Sequence, residues 1–278
     1  MFNREEYLQK IKEKNPNTDP RLIALTPTEL LKVWREPITQ NYFTTLFNEW
    51  KPDPQKNILL FLPCTSVKPY SESNLYKTIL EKLEKENIRN QIQIITISDL
   101  FACVPEQYER WYPITSYECP PMISGIIDKD LEFNQEDYSI MFGRLYLKIA
   151  QFLTKFNTNY PYKFSYTKGI YFQLINFASS HSKVYVKEIL TTQRSNIIKG
   201  EEGQMYWSYN GLKDEQSLQY LINDIKQALV DREKSLTDVH ETHLETHELL
   251  EGVSNSLPLQ TDTTTKIEEP KGDNQNGI

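Results

Sequence analysis

The sequence predicts an α/β fold, a three-layer sandwich around a mostly parallel or mixed central sheet. Three observations lead there. Residues 57–62 (Asn-Ile-Leu-Leu-Phe-Leu) form an apolar run typical of a strand covered on both faces. Leu75, Ile79, Leu80 and Leu83 then recur at helical spacing up to about Glu86, and residues 91–97 (Gln-Ile-Gln-Ile-Ile-Thr-Ile) read as a second strand. Together these make a βαβ unit, and the helix, strand, helix, strand and hairpin that follow continue the alternation.

Taken in order, residues 5–13 read as a short helix. Thr26-Pro27-Thr28-Glu29 is a helix start, with Thr26 as N-cap, Pro27 at the first helical position and Glu29 completing a capping box. Leu30, Leu31 and Trp34 give that helix its apolar face. Residues 42–50 form a second, aromatic helix, ended by the linker Lys51-Pro52-Asp53-Pro54. After the first strand, Ser73 is the expected N-cap of the crossover helix. Residues 98–121 are irregular and rich in Pro, Tyr and Cys, and Gly125-Ile126-Ile127 beyond them is strand-like. In residues 136–156, Tyr138, Phe142, Leu145, Ile149 and Phe152 mark a long amphipathic helix. Residues 162–166 alternate like a strand, 169–179 look helical and 184–190 extended. Residues 194–199 and 204–209 make a hairpin around Gly200-Glu201-Glu202-Gly203. Residues 214–230 close the core as a helix, with Leu218, Leu221, Ile222 and Ile225 inward. The organisation expected is an N-terminal helical extension (1–50), an α/β core (51–232) and an acidic tail (233–278), the tail too poor in apolar residues to order itself.

Charge is unevenly placed. From Asp231 onward the chain holds 11 of its 38 acids and 4 of its 31 bases, which accounts for the whole net charge of −7. The preceding part balances 27 acids with 27 bases. A neutral body argues against strong unaided binding to nucleic acid, which relies on neutralising phosphates. No run approaches the roughly 20 apolar residues of a membrane span, so no membrane partner is expected. The start lacks the apolar stretch of a signal peptide. Cys64, Cys103 and Cys119 are too scattered for a disulfide framework or a metal-type pair, which fits a cytoplasmic protein with reduced thiols.

The chemistry is concentrated in one turn. Pro63-Cys64-Thr65-Ser66-Val67-Lys68-Pro69-Tyr70-Ser71-Glu72-Ser73 leaves the first strand and enters the crossover helix, where open α/β sheets place ligands. The turn resembles the archaeosine synthase family of tRNA-modifying enzymes, whose pattern is Pro-Cys, three variable residues, Lys-Pro-Tyr, two variable, Ser, two variable, His. A second patch is similar to the same family: Val104-Pro105-Glu106, Glu109, Tyr112-Pro113 and Tyr117. The resemblance covers residues 40–230. It implies a transferase that couples free lysine to the nitrile of a cyano-deazaguanine base in tRNA, with a radical enzyme as a later partner and no cofactor or metal. Two departures stand out. The closing His is Tyr76 here, and the transglycosylase-like and RNA-binding regions of full-length members do not fit this sequence, so a separate RNA-binding subunit is expected.

Adding an amine to a nitrile needs a neutral amine, a held nitrile and a proton for the developing nitrogen anion. Cys64 would attack first, forming a thioimidate that lysine displaces, its thiolate favoured by Lys68 or a helix N-terminus; the competing reading is a small buried strand-end residue. Lys68 would meet a phosphate or carboxylate, or else face solvent. Tyr70 would stack on a base or pack under the loop. Tyr76 is a proton donor but a poor base at neutral pH. Pro63, Ser71 and Ser73 shape the turn or touch substrate. Asp99, Glu106 and Glu109 would bind or deprotonate an ammonium, against a solvated loop role. His181 would replace the missing imidazole or serve as a helix C-terminal group. His240, His243 and His247 read as a solvated face rather than a metal site, and Cys103 and Cys119 as structural. Arg194, Lys199, Tyr206, Trp207 and Tyr209 on the hairpin would contact RNA or cover the core. Two other functions stay open: a non-catalytic RNA- or deazaguanine-binding subunit, and an enzyme acting on deazaguanine in DNA or as a free base.

Overall fold

A computed structural model describes residues 3–119, 133–192, 197–199, 205–207 and 209–254. Two compact units are present, Met1–Leu229 and Val230–Ile278.

The first unit is the α/β fold expected. Its sheet has five strands in the order β3-β2-β1-β4-β5, with helices on both faces. β1 (Ile58–Pro63) lies at the centre and pairs in parallel with β2 (Ile92–Ser98) on one side and β4 (Tyr162–Ser165) on the other. β3 (Ala102–Pro105) runs antiparallel to β2, and β5 (Lys187–Glu188) runs parallel to β4. The sheet is therefore mixed. Every residue of β1 and β2 is buried, which explains their unbroken apolar sequence.

The helices begin where local chemistry provides caps. In α1 (Arg4–Lys14) the Asn3 side chain accepts from the backbone N–H groups of Glu5 and Glu6. α2 (Pro27–Arg35) starts as expected: Thr26 accepts from Glu29 N–H, and the Glu29 carboxylate reaches back to Leu25 N–H at 2.7 Å. α3 (Pro37–Asn48) starts five residues before the expected Tyr42, because Pro37 supplies a pre-set first helical position. α4 (Asn74–Lys85) is capped by Ser73, which accepts from Tyr76 N–H. α5 (Gln135–Lys155) is capped by Asn134 and buries Met141, Leu145, Ile149 and Phe152. α6 (Gly169–Ser182) follows β4 directly.

Residues 98–121, expected to be irregular, contain β3. The chain reverses through Asp99–Phe101, with Ser98 Oγ accepting from Leu100 and Phe101 N–H, and Ala102 takes a left-handed φ of 53° to start the antiparallel return. The hairpin forms as β6 (Ile197–Lys199) and β7 (Met205–Trp207), carrying Lys199, Tyr206 and Trp207. Arg194 and the strand-like residues 125–127 lie outside the described residues. A one-turn helix, Asn210–Lys213, precedes α7 (Glu215–Ser254), which continues past the expected end at Val230. Among the described residues no helix is long and apolar enough to cross a membrane.

Candidate active site

β1 has its βαβ neighbour β2 on one flank and the later β4 on the other, so the winding of the sheet reverses at β1. At such a reversal the loops leaving the strand ends diverge and open a crevice. A cavity of about 440 Å³ lies there. The turn after β1 contributes Cys64, Thr65, Ser66 and Lys68; the end of β2 contributes Asp99; the first turn of α6 contributes Tyr171. Tyr117, Glu118 and Cys119 form another wall, held in place because Leu22 O accepts Glu118 N–H and Glu118 O accepts Ala24 N–H. Tyr7 of α1 and Tyr209 complete the lining.

Three groups meet at the base. The Cys64 thiol donates to Asp99 Oδ2 at 3.3 Å, the Tyr171 hydroxyl donates to the same oxygen at 3.0 Å, and Cys64 Sγ lies 2.9 Å from Tyr171 Oη. All three residues are buried. Asp99 is 3% exposed and its Oδ1 has no hydrogen-bond partner. Burial pushes the Asp99 carboxyl up to about 6, against its hydrogen bonds from Cys64 and Tyr171 and the nearby Lys68 charge. Burial also pushes the Cys64 thiol well up, and the Asp99 charge adds to it. This corrects the expectation of a thiol lowered by Lys68: Lys68 does act downward, but desolvation outweighs it. The resting group is a thiol.

Lys68 lies over the Tyr117 ring, with Nζ 4.1 Å from the centroid, and its peptide bond to Pro69 is cis. The Tyr209 hydroxyl donates to the Cys64 carbonyl oxygen, tying the residue after the hairpin to the turn.

The remaining sequence candidates sit elsewhere. Tyr70 is fully buried and shares a hydrogen bond with Tyr117 Oη at 2.8 Å, so it packs beneath the turn and is absent from the cavity wall. Pro63 ends β1, and its carbonyl accepts from Tyr76 Oη at 3.1 Å. Tyr76 also shares a 2.6 Å hydrogen bond with Thr96. It faces a different hollow of about 270 Å³, whose wall includes Lys56, Ser71, Arg89, Glu106 and Glu109. There Glu106 accepts from Lys56 at 2.6 Å and pairs with Arg89. Glu109 takes both the N–H and the hydroxyl of Ser71, at 2.9 and 2.5 Å. Glu109 thus braces the turn, Glu106 joins Lys56 to Arg89, and neither lines the cavity that holds the thiol. His181 is exposed near the end of α6 beside Tyr146, on the wall of a third hollow, and cannot stand in for an imidazole at Cys64. Cys103 is buried in β3; Cys119, read as structural, donates to Leu22 O and also lines the cavity.

Sequence reasoning missed Tyr171, Glu118 and Tyr7, and named Tyr117 only as part of the second patch, with no role. One signal was available for Tyr171: it follows a strand end by a few residues, as Cys64 does. Lys168, also missed, is 3% exposed at the start of α6; its ammonium has no partner, and burial holds it down to about 8.

Residues 39–131 match a family described as a domain of unknown function (DUF5591). That span contains the whole turn and the second patch, from Val104 to Tyr117. Over 151 residues the chain is 26% identical to archaeosine synthase subunit alpha of Thermoplasma acidophilum, covering 53% of this chain and 28% of that protein. The chain thus spans well under a third of the length of this curated relative. The crystal structure of AF0587, a protein of unknown function, resembles 66% of this chain and 49% of its own, at 16% identity and a TM-score of 0.42. A likeness that distant bears on no functional argument.

Proposed function

We propose that this chain is a tRNA-modifying transferase of the archaeosine-synthase type, adding an amine, lysine by preference, to the nitrile of 7-cyano-7-deazaguanine in tRNA. The observation that carries this reading is the meeting of Cys64 and Lys68 in one cavity at the reversal point of the sheet. They are the thiol and the ammonium of the turn that resembles the family. The partial similarity to archaeosine synthase subunit alpha supports the same reading.

In this reading Cys64 adds to the nitrile carbon, and the amine then displaces the sulfur to leave an amidine. Lys68 provides positive charge for a phosphate or carboxylate of the substrates. The His-to-Tyr departure at position 76 removes no group from the Cys64 cavity, since Tyr76 faces the other hollow. With a body of balanced charge, tRNA recognition is shared with a separate RNA-binding subunit. A radical-type enzyme consumes the amidine product.

The test is incorporation of labelled lysine into tRNA bearing the nitrile base, with wild-type protein, Cys64→Ala and Lys68→Ala. Incorporation by wild type, abolished by Cys64→Ala and strongly reduced by Lys68→Ala, is the expected result. Incorporation that survives in Cys64→Ala would overturn the covalent route. Absence of incorporation by wild type, in the presence of a tRNA-binding subunit, would overturn the transferase.

A further inference from the structure

The triangle of Cys64, Asp99 and Tyr171 has a property that the turn motif does not contain. It holds two acidic protons, one on sulfur and one on the phenol, against a single carboxylate oxygen, while the second carboxylate oxygen is buried without a hydrogen-bond partner. A thiol that burial keeps protonated cannot add to an electrophile unless its proton leaves as the carbon–sulfur bond forms. A nitrile, for its part, cannot accept sulfur unless its nitrogen gains a proton. One contact network answers both needs.

We propose that Asp99 and Tyr171 are a proton relay that lets the neutral Cys64 thiol add across a nitrile, Asp99 Oδ2 taking the sulfur proton and Tyr171 giving its own to the nitrile nitrogen. This rests on the reading of Cys64 as the nucleophile, and it adds two catalytic residues with distinct roles. Protons and bonds balance. The S–H bond breaks and the S–C bond forms; one π bond of C≡N becomes an N–H bond, with its proton from Tyr171. The phenolate left behind is reprotonated by the Asp99 carboxylic acid, because the two are already 3.0 Å apart. The net change is a thioimidate with Asp99 and Tyr171 restored, and no oxidant, reductant or metal takes part.

The geometry favours this over two simpler roles. As a purely structural carboxylate Asp99 would have both oxygens satisfied, since a buried unpaired acceptor costs about 1–3 kcal/mol. Instead Oδ1 is unpartnered in a residue that lines the cavity. As a binder of the donor's ammonium alone, Asp99 would have no reason to accept from the thiol. The restored Asp99 carboxylate has its own use in the second half of the reaction, where it takes a proton from the incoming amine and returns it to the Cys64 sulfur as that sulfur departs. Glu118 on the same wall adds negative charge, which favours the arrival of an ammonium and raises Asp99 further. Tyr171 is buried among charges that disfavour its phenolate, so its proton leaves only in concert with return from Asp99.

The probe is 2-cyanopyrimidine, a small heteroaromatic nitrile, incubated with the purified full chain without tRNA or amine. The readout is intact mass: addition increases it by the full mass of the nitrile, since nothing departs. Wild type is expected to gain one adduct, mapped to Cys64 by digestion. Its rate should rise as pH increases through about 6, where Asp99 becomes a base, and level off near neutrality. Asp99→Asn should lower the neutral-pH rate about a hundredfold, within the usual range for a lost general base, and abolish the rise near pH 6. Tyr171→Phe should lower it about tenfold or more while keeping that rise. The opposite role predicts the opposite sign. If Asp99 merely repels a thiolate, removing its charge lowers the thiol pKa and speeds adduct formation. A faster or unchanged rate in Asp99→Asn would therefore overturn the proposal, as would a wild-type rate that is flat between pH 5 and 7. Should Asp99→Asn fail to fold, the wild-type pH profile and Tyr171→Phe decide alone. Because the probe needs neither tRNA nor lysine, loss of the relay and loss of the transferase reading are separately visible.

Discussion

At the scale of single residues, Asp99 carries an energetic consequence that can be measured without substrate. Its folded-state value of about 6 lies above the ordinary Asp value of about 3.9. A carboxyl raised on folding stabilises the protein fully below its unfolded value, and that contribution is lost as pH climbs through the folded one. That rise corresponds to roughly 2–3 kcal/mol at neutral pH, set by the burial of a partly unpaired anion. Asp99→Asn, which has a similar shape and no charge, is therefore expected to be more stable than wild type at pH 7.5 by about 2 kcal/mol. The advantage should vanish near pH 4. Thermal melts of the two proteins at both pH values check this, and equal melting temperatures at pH 7.5 would show that the anion is better solvated than its surroundings imply. A gain in stability paired with a loss of adduct formation is the trade-off expected where function requires strain.

At the scale of elements, the turn between β1 and α4 is fixed from both ends. Ser73 caps the helix, Tyr76 reaches back to the Pro63 carbonyl, and Glu109 holds Ser71. Beside it, Glu106 sits between Lys56 and Arg89 with its side chain 19% exposed. Glu106→Ala leaves two cations facing each other in a half-buried setting, and should cost about 1–3 kcal/mol by urea denaturation. No loss would mean that the cluster is slack and Glu106 is available to a ligand. These elements differ in how far the sequence announces them. β1 and β2 were legible because burial on both faces leaves an apolar run, and the starts of α2 and α4 because Thr26 and Ser73 carry local capping chemistry. β3 was not, since four residues after a tight reversal leave no periodicity to detect. Pro37 is a local start signal for α3, but the aromatic run after it is the stronger pattern in the sequence. In the cavity, Cys64 and Asp99 directly follow strand ends and Lys68 lies in the turn between β1 and α4, which is where the sequence pointed to all three. Tyr7, the Tyr117–Glu118 pair and Tyr171 come from three separate segments, and no spacing within any of them announces that they converge. Contacts between distant segments, among them the pairing of residues 22–24 with 118 and the Tyr70–Tyr117 hydrogen bond, bring that wall to the thiol.

At the scale of the whole molecule, charge and architecture are separate. The acidic excess lies from Asp231 onward, while the sheet and its cavity belong to the unit Met1–Leu229. Within that unit the position of β1 matters most. It is the central strand, buried along its whole length between two parallel neighbours, and Cys64 continues the ladder by donating its N–H to Ile97 O at 3.0 Å. β5, by contrast, is two exposed residues at the rim. Amide protons along residues 59–62 should therefore trade with deuterium only when the entire unit opens, whereas those of Lys187 and Glu188 trade within minutes. Mass-resolved exchange would detect the reverse order at once. Cys64, the proposed nucleophile, is thus mounted at the end of the central strand, so local fraying at the rim does not reach it. Whatever plasticity the proposed reaction demands must come from the side chains and the outer walls, with the ledge beneath the sulfur held still.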